Sequence, residues 1–404
     1  MVADSTTDAQ LDRLEATSLV LVAGVAMAGS VALLAAAVGV LRLWVWLPVA
    51  VVLTLALAVA LFRRASPLLG RSGWWWVLPA VVIALVLMVP GFRYATGDKD
   101  PGVYVMHAWN MAHTGHLPFQ KTALQMSGAL SSADYPGALW RGFEFSTSAT
   151  QVMPSFFHMW PALLAGSFQI VGFRALAVVG PALGALGVLL AFVLVRRLFG
   201  VRYAALAALL LAVNMMQVWQ SRYPTSEVLA QTMYVGAALA LLVGVQTKVR
   251  TLGFVAGVLT TCGFLARGEG VVGVVVFGGV TVLLALSASH RKLVRLAWLG
   301  LLVPLPLAWW QAYGWASRYT TANSVPSART VALALAVEVV AVVGLHLVPS
   351  LGGRFTDGPV RWLSANGRRL SQLCAALVAL AFVAAFFRPL TGISMADRNG
   401  IQIR

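Results

Sequence analysis

FFHMWPALLAGSFQIVGF, residues 156–173, is the one apolar run in this chain whose course the rest of the topology turns on. It is long and apolar enough to cross a bilayer, yet His158, Pro161 and Gln169 are spread through it rather than kept to its ends. Whether it crosses sets which loops share a side. The surrounding chain of 404 residues is 60% hydrophobic and 10% charged, against roughly 25% charged residues in a soluble globular protein. Other runs long enough for a hydrocarbon layer of about 30 Å lie near 18–41, 43–62, 74–92, 175–199, 203–220, 229–246, 251–266, 271–288, 295–314, 330–349 and 372–388. The composition therefore specifies an all-α polytopic membrane protein.

Charge parity settles the ambiguous run. If 156–173 stays on one side, then Arg63, Arg64 and Arg71 share a side with Arg196, Arg197 and Arg202. Lys248, Arg250, Arg291, Lys292, Arg295, Arg354, Arg361, Arg368 and Arg369 join them there. Dense basic loops belong in the cytoplasm. If the run crossed, these loops would split between the two sides and the bias would vanish. Residues 156–173 are thus expected to form an interfacial or re-entrant segment, which is tolerated where it is buried in protein or lines a cavity. The N-terminal MVADSTTDAQLDRLEATS is polar and partly acidic, unlike a secretory signal, so the first run reads as a retained span behind a cytoplasmic tail. The net charge of +16 is spread over short loops, and nucleic acid is set aside as a partner. Cys262 and Cys374 both lie in apolar runs, which argues for buried small hydrophobes rather than a disulfide or a thiolate metal site.

The same parity makes residues 93–174 one long external segment, and loops of that length are usually functional. It holds Asp98, Lys99, Asp100, His107, His113, His116, Lys121, Asp134, Arg141, Glu144 and His158. Ser221 to Glu227, Arg267-Gly268-Glu269 and the 315–329 loop with Arg318 fall on the same face. In a chain with 13 acidic residues, a charged cluster held against a membrane face marks a candidate site.

The residues at that face resemble a known family. A span at 74–92 is followed by an external aspartate in GDKDPGVY (97–104), a tyrosine, and a helix leading to the turn His113-Thr114-Gly115-His116. This arrangement resembles the GT-C superfamily of polytopic glycosyltransferases, which includes bacterial aminoarabinose transferases and protein O-mannosyltransferases. FFHMWPALLAGSFQIVGFRALAVVGPALGALGVLLAFVLVRRLFG (156–200) looks like the family's passage from an external amphipathic helix through a span to a cytoplasmic arginine pair. QSRYPTSEVLAQ (220–231) and FLARGEGVV (264–272) are similar to the external ends of its later spans. The resemblance covers roughly 74–314, the expected GT-C-like catalytic core. A cytoplasmic tail (1–17) and two additional spans with a basic loop (18–73) precede it. C-terminal spans (315–404) come after it, without the soluble external domain of many members, as in a minimal member or a piece of a longer chain. The bias towards Arg, Ala, Val and Gly points to a high-GC bacterium, and so to a bacterial plasma membrane.

The resemblance implies transfer of a sugar from a polyprenyl-phosphate carrier to an acceptor hydroxyl on a glycan, lipid or protein, with inversion at the anomeric carbon. Such chemistry needs a general base at the acceptor and cations or a metal at the leaving phosphate. Asp98 matches the family's first-loop acidic position and is the expected base, with Asp100 second. Either can instead cap the helix expected over 103–113, since aspartate before Pro-Gly suits a helix start. No cofactor is required by the sequence. A divalent cation is an option, because D-x-D offers oxygen ligands and Glu227 or Glu144 can add a third, although Lys99 offsets part of the charge. The spacing of His107, His113 and His116 matches no zinc set.

Lys99, Tyr104, Arg222, Glu227, Arg267, Glu269 and His158 make up the expected substrate- and phosphate-binding set. Arg222 or Arg267 can hold a phosphate bidentately; an Arg222–Glu227 ion pair that only fixes a hairpin is the alternative. Tyr104, Trp109, Trp140 and Trp160 can stack on a sugar, yet aromatics also gather at membrane interfaces without a role. Glu338 sits mid-span in VALALAVEVVAVVGL (331–345), either as polar glue between helices or as a proton site. Two rival readings remain: a transporter or flippase of lipid-linked sugars, and a non-catalytic scaffold in envelope assembly.

Overall fold

A computed structural model describes residues 10–66, 72–93, 100–120, 143–145, 151–154, 156–322 and 325–347. The expected span at 372–388 lies outside them. Helices α1 (Arg13–Ala37), α2 (Leu43–Phe62) and α3 (Ser72–Met88) come first, then α4 (Asp100–Thr114). After three short strands come α5 (Met159–Val171), α6 (Ala175–Phe199), α7 (Val201–Val213), α8 (Met215–Arg222), α9 (Glu227–Thr247), α10 (Thr251–Ala266) and α11 (Gly270–Ala285). The series closes with α12 (Arg291–Leu302), α13 (Leu305–Trp310), α14 (Ser317–Ala322) and α15 (Ala328–Leu347). Strands β1 (Phe119–Gln120), β2 (Phe143–Phe145) and β3 (Gln151–Pro154) form one antiparallel sheet in the order β1-β3-β2, a small addition to an otherwise helical chain. Among the described residues, five helices are long and apolar enough to cross a membrane, or up to seven if each bent pair counts as one span. The molecule is a multi-pass membrane protein.

Side-chain contacts define the two ends of the bundle. At one end Asp12 caps α1, accepting the Glu15 N–H at 2.8 Å, and both acids pair with the C-terminal arginines of α6. Arg197 there reaches Glu15 at 3.3 Å and donates to Gln246, at the end of α9, at 2.6 Å. The N-terminus of α1 therefore lies beside the C-termini of α6 and α9. Both α1 and α6 have 25 residues, about 37 Å of helix, so their other ends stand a membrane's thickness away. At that second end Gly91 N–H donates to Ala177 at 2.9 Å and Phe92 N–H to Arg222 at 2.6 Å. The basic turns after α2, α6, α9 and α11 gather at the first end. Asp100, Glu227 and Glu269 stand at the second.

Helix α5 lies along the second end instead of crossing. Near its start, Trp160 donates its indole N–H to Pro224 in the α8–α9 turn at 3.0 Å. Near its finish, Gln169 donates to Leu41 in the α1–α2 turn at 3.0 Å and to Ala112 of α4 at 3.1 Å. Both partners belong to the same end of the bundle. With 13 residues, α5 is about 20 Å long, short of a span by itself. Gly172, at φ +60°, stops it in a backbone region that glycine enters without strain, and α6 then runs the full depth. Residues Met159 to Gly166 are buried without interruption, because α5 is enclosed by α1, α2, α4 and α6. The segment is not laid on lipid; it is covered by protein.

Two expected spans are broken. The run 203–220 bends by 58° at Asn214, whose side chain accepts the Gln217 N–H at 3.0 Å and so starts α8 as a fresh helix. The run 295–314 bends by 42° after Leu302, where Pro304 and Pro306 remove two amide donors. Helix α1 is no accessory to the bundle: it packs on α5, α6, α9 and α10, with Ser30 against Cys262 at 3.4 Å.

Helices α10 and α12 pack backbone to backbone at Gly257, where an added Cβ would lie 2.0 Å from the Ala297 carbonyl oxygen. Gly257→Val is expected to destabilise by roughly 1–3 kcal/mol through overpacking, lowering the midpoint of thermal unfolding in detergent. Gly344→Ala, where nothing lies within 4 Å, is expected to leave it unchanged or raise it slightly.

Candidate functional site

Asp100 opens α4 with its carboxylate at the positive end of the helix dipole, and Pro101 occupies the first turn, where no amide donor is missed. The expected helix start near 103 thus falls three residues earlier. Val103, Tyr104, His107, Ala108 and Met111 are buried at helical spacing, and this face packs on α5. The Tyr104 hydroxyl meets Ser226 Oγ at 3.3 Å, just before α9. Burial drives its phenol well above the usual range, with the Ser226 hydrogen bond working the other way.

The charged centre is Arg267, the residue immediately after α10. Its Nη1 donates to Glu227 Oε1 at 2.5 Å, while Nε and Nη2 face the two Glu269 oxygens at 3.3 and 3.4 Å. Each charge sits at the helix end that suits it: Glu227 and Glu269 at the starts of α9 and α11, Arg267 at the close of α10. Burial opposes the guanidinium's charge, but the two carboxylates outweigh it and hold Arg267 above its ordinary pKa. Glu227 Oε2 is buried and has no hydrogen-bond partner among the described residues. Glu269 is half exposed, at 52%. Tyr319 of α14 completes the group: burial first, then the charges of Glu269, Asp100 and Glu227, push its phenol up to about 12, with Arg267 opposing. Rings of Tyr104, Phe156, Tyr319 and Phe157 succeed one another at 5.3, 5.5 and 6.1 Å, forming an aromatic floor beside the charges.

A buried layer lies under that floor. His158 stands 5.0 Å from His107 and 5.6 Å from Trp315, ring centre to ring centre. Both His158 ring nitrogens are buried without a partner among the described residues, and burial keeps the ring neutral, well below its ordinary pKa, with His107 adding to the effect. His107 bonds Leu117 O at 2.8 Å through Nε2; burial brings it down to about 4 against that bond. Gln311, in a π-helical turn (Gln311–Trp315), accepts the His158 N–H at 3.1 Å and donates to Leu265 O at 2.9 Å. One amide thereby ties the start of α5 to the strand of chain that ends in Arg267.

Of the expected set, Asp100, Tyr104, Glu227, Arg267 and Glu269 come together, and His158 lies beneath them. Arg222 goes elsewhere. Its Nε donates to Pro90 O at 3.2 Å and its guanidinium covers the Phe92 ring at 4.5 Å, so the Arg222–Glu227 pair is replaced by Arg267–Glu227. The reason is geometric: Arg222 closes α8 against the end of α3, and Glu227 opens α9 toward α10. Asp98, Lys99 and the Glu144 side chain lie outside the described residues. Among those described, no three His, Cys, Asp or Glu side chains gather as a metal set. Ser226, Phe156, Tyr319 and Gln311 were not singled out from the sequence. Single polar and aromatic residues in loops carry no periodic signal, and only the fold brings them to the cluster.

The fold and this charged end define a polytopic helical membrane protein with a polar, aromatic-floored site at one end of its bundle. Residues 158–310, from His158 through α5 to α13, match the family model of the dolichyl-phosphate-mannose-protein mannosyltransferases. The resemblance to the GT-C superfamily of glycosyltransferases is thereby borne out over the stretch that contains Arg222, Glu227, Arg267 and Glu269. No curated protein gives a match. Among solved structures, an oligosaccharyltransferase from Archaeoglobus fulgidus, crystallised with zinc and sulfate, is similar at 17% identity and a TM-score of 0.47. The alignment covers 79% of this chain, which spans 40% of the length of that one.

The buried His107 gives a pH signature. Its pKa falls on folding, from about 6.5 to about 4, so the unfolded chain binds more protons between those values and stability drops as pH falls through that window. The drop is about 3 kcal/mol for His107. Thermal unfolding in detergent from pH 7 to pH 4 is expected to show it, and His107→Gln, which keeps a donor for Leu117, is expected to make the profile shallower while leaving the share of the buried His158.

Proposed function

We propose that this chain is an inverting glycosyltransferase that moves a sugar from a polyprenyl-phosphate carrier to an acceptor hydroxyl at the external membrane face. The observation that carries the reading is the Arg267 guanidinium, held between Glu227 and Glu269 at the same bundle end as Asp100, Tyr104 and Tyr319. A fixed cation beside an aromatic floor, within a stretch that matches a mannosyltransferase model, suits a sugar phosphate. The gathering of the basic turns at the opposite end supports an external site and a cytoplasmic N-terminus.

In this reading Asp98 takes the proton of the acceptor hydroxyl, and that oxygen attacks the anomeric carbon from the side opposite the phosphate. The bond from the anomeric carbon to the phosphate oxygen breaks with inversion, and the carrier phosphate leaves with the added negative charge. Arg267 meets that charge as it develops. A preorganised donor at such a position contributes most in the transition state. Glu269, exposed and facing two guanidinium nitrogens, gives way to the phosphate, while the closer Glu227 keeps the guanidinium aimed. Asp100 at the head of α4 anchors the chain just after Asp98. Tyr104 and Tyr319 carry the sugar, and the apolar helix faces receive the lipid tail. Arg222 holds the chain just after α3 at Pro90 and Phe92.

The test uses purified protein in lipid with a panel of radiolabelled polyprenyl-phosphate sugars. Wild type is expected to transfer or hydrolyse at least one, Asp98→Asn to abolish turnover, and Arg267→Lys to reduce kcat by roughly 10²–10³-fold, the cost of one transition-state donor. Carrier binding without turnover in wild type would contradict the reading and favour a transporter or a scaffold.

A further inference from the structure

Helices α12 and α15 both pack against α11 and leave a groove of about 480 Å³ between them, within the size range of small-molecule sites. One wall is a single face of α12: Arg295, Trp298, Leu299 and Leu302 recur at helical spacing. The other is a single face of α15, with Val339, Val343 and His346. The groove is apolar along its length and cationic at one end. Arg295 lies one turn after Arg291 and Lys292, where α12 begins at the basic end of the bundle, and His346 ends α15 at the same level.

The polar side chains at this mouth differ in what they already hold. Arg291 donates its Nε to Ala285 O at 3.2 Å. His346 places Nδ1 at 2.7 Å from Val342 O and Nε2 at 3.2 Å from Arg291 O, which ties its ring to both helices. Arg295 is exposed, and among the described residues no carboxylate pairs with it. Glu338, the nearest acid along α15, turns away and packs against Gly278 of α11. A cationic mouth leading into an apolar trough that runs toward mid-membrane has the shape and polarity of one amphiphile.

We infer that this groove binds one anionic phospholipid of the leaflet at the basic end, with its phosphate at Arg295 and an acyl chain along Trp298, Leu302, Val339 and Val343. The charge complementarity decides the occupant. A basic pocket between membrane helices on the cytoplasmic side suits an anionic headgroup, whereas a zwitterionic lipid brings a second cation to a mouth that has enough. The site is remote from Arg267, at the other end of the bundle, and stands whether or not the glycosyltransferase reading does.

Native mass spectrometry of the purified full chain in detergent provides the test, titrating phosphatidylglycerol against phosphatidylcholine of identical acyl chains. Wild type is expected to take up one saturable phosphatidylglycerol at least tenfold more tightly than phosphatidylcholine. Arg295→Ala is expected to erase that preference, Arg295→Lys to keep most of it, and Val343→Trp to block the saturable adduct of either lipid by filling the trough. Variants are compared only when their thermal unfolding midpoints match wild type. Equal adducts of the two lipids on wild type, or an unchanged preference in Arg295→Ala, would overturn the assignment. Either result would mean that the groove meets bulk lipid or is covered by residues 348–404.

Discussion

One guanidinium shared by two carboxylates organises the end of the bundle where the site lies. Arg267 joins the start of α9 to the start of α11 while itself closing α10, so a single side chain fixes three helix ends. Glu227 and Glu269 stand where helix dipoles favour anions and Arg267 where they favour a cation, which lets the cluster form without a buried charge left alone. Around it the aromatic floor of Tyr104, Phe156 and Tyr319 depends on the same helix ends for its position. The Gln311 amide, which bridges His158 and Leu265, locks the chain two residues before Arg267. The Arg267–Glu227 pair spans 40 positions of the chain and the His158–Gln311 contact 153.

A second constraint comes from the bilayer. A segment that enters the membrane end without crossing is tolerated where protein covers it, and α5 shows how. It lies along one end, covered by α1, α2, α4 and α6, and returns through Gly172 to the full-length α6. That enclosure requires α1 and α2, the two helices ahead of the core. They supply Leu41 for Gln169 and Trp46, whose indole N–H donates to the Gln169 side chain at 2.9 Å. The additional N-terminal helices are therefore structural partners of the segment that carries His158.

Composition and charge parity made the membrane architecture legible in the sequence. The apolar runs, the gathering of arginines at one end and the non-crossing of 156–173 all rest on quantities summed over many residues, and such sums survive ignorance of packing. Individual pairings do not. Arg222 and Glu227, five positions apart, look like partners, but the α8–α9 turn points them to different helices, and Glu227 finds Arg267 forty positions on. The breaks at Asn214 and Pro304 were readable in principle, one as a capping side chain and the other as a missing donor, yet each was hidden inside a run apolar enough to span. Of the site, the carboxylates and Arg267 were legible because charge is scarce in this chain. Tyr319, Ser226 and Gln311 were not, since nothing local sets them apart.

In the proposed reaction Arg267 clamps the donor phosphate, with Asp98 across the anomeric carbon from it. The most direct measurement is an electron cryomicroscopy structure of the protein in lipid with a non-transferable phosphonate analogue of a polyprenyl-phosphate sugar. The phosphonate is expected within hydrogen-bond distance of Arg267, with Glu269 displaced, the sugar against Tyr104 and Tyr319, and the Asp98 carboxylate on the face opposite the phosphonate. An analogue seated away from Arg267, with both carboxylate pairs intact, would contradict that reaction.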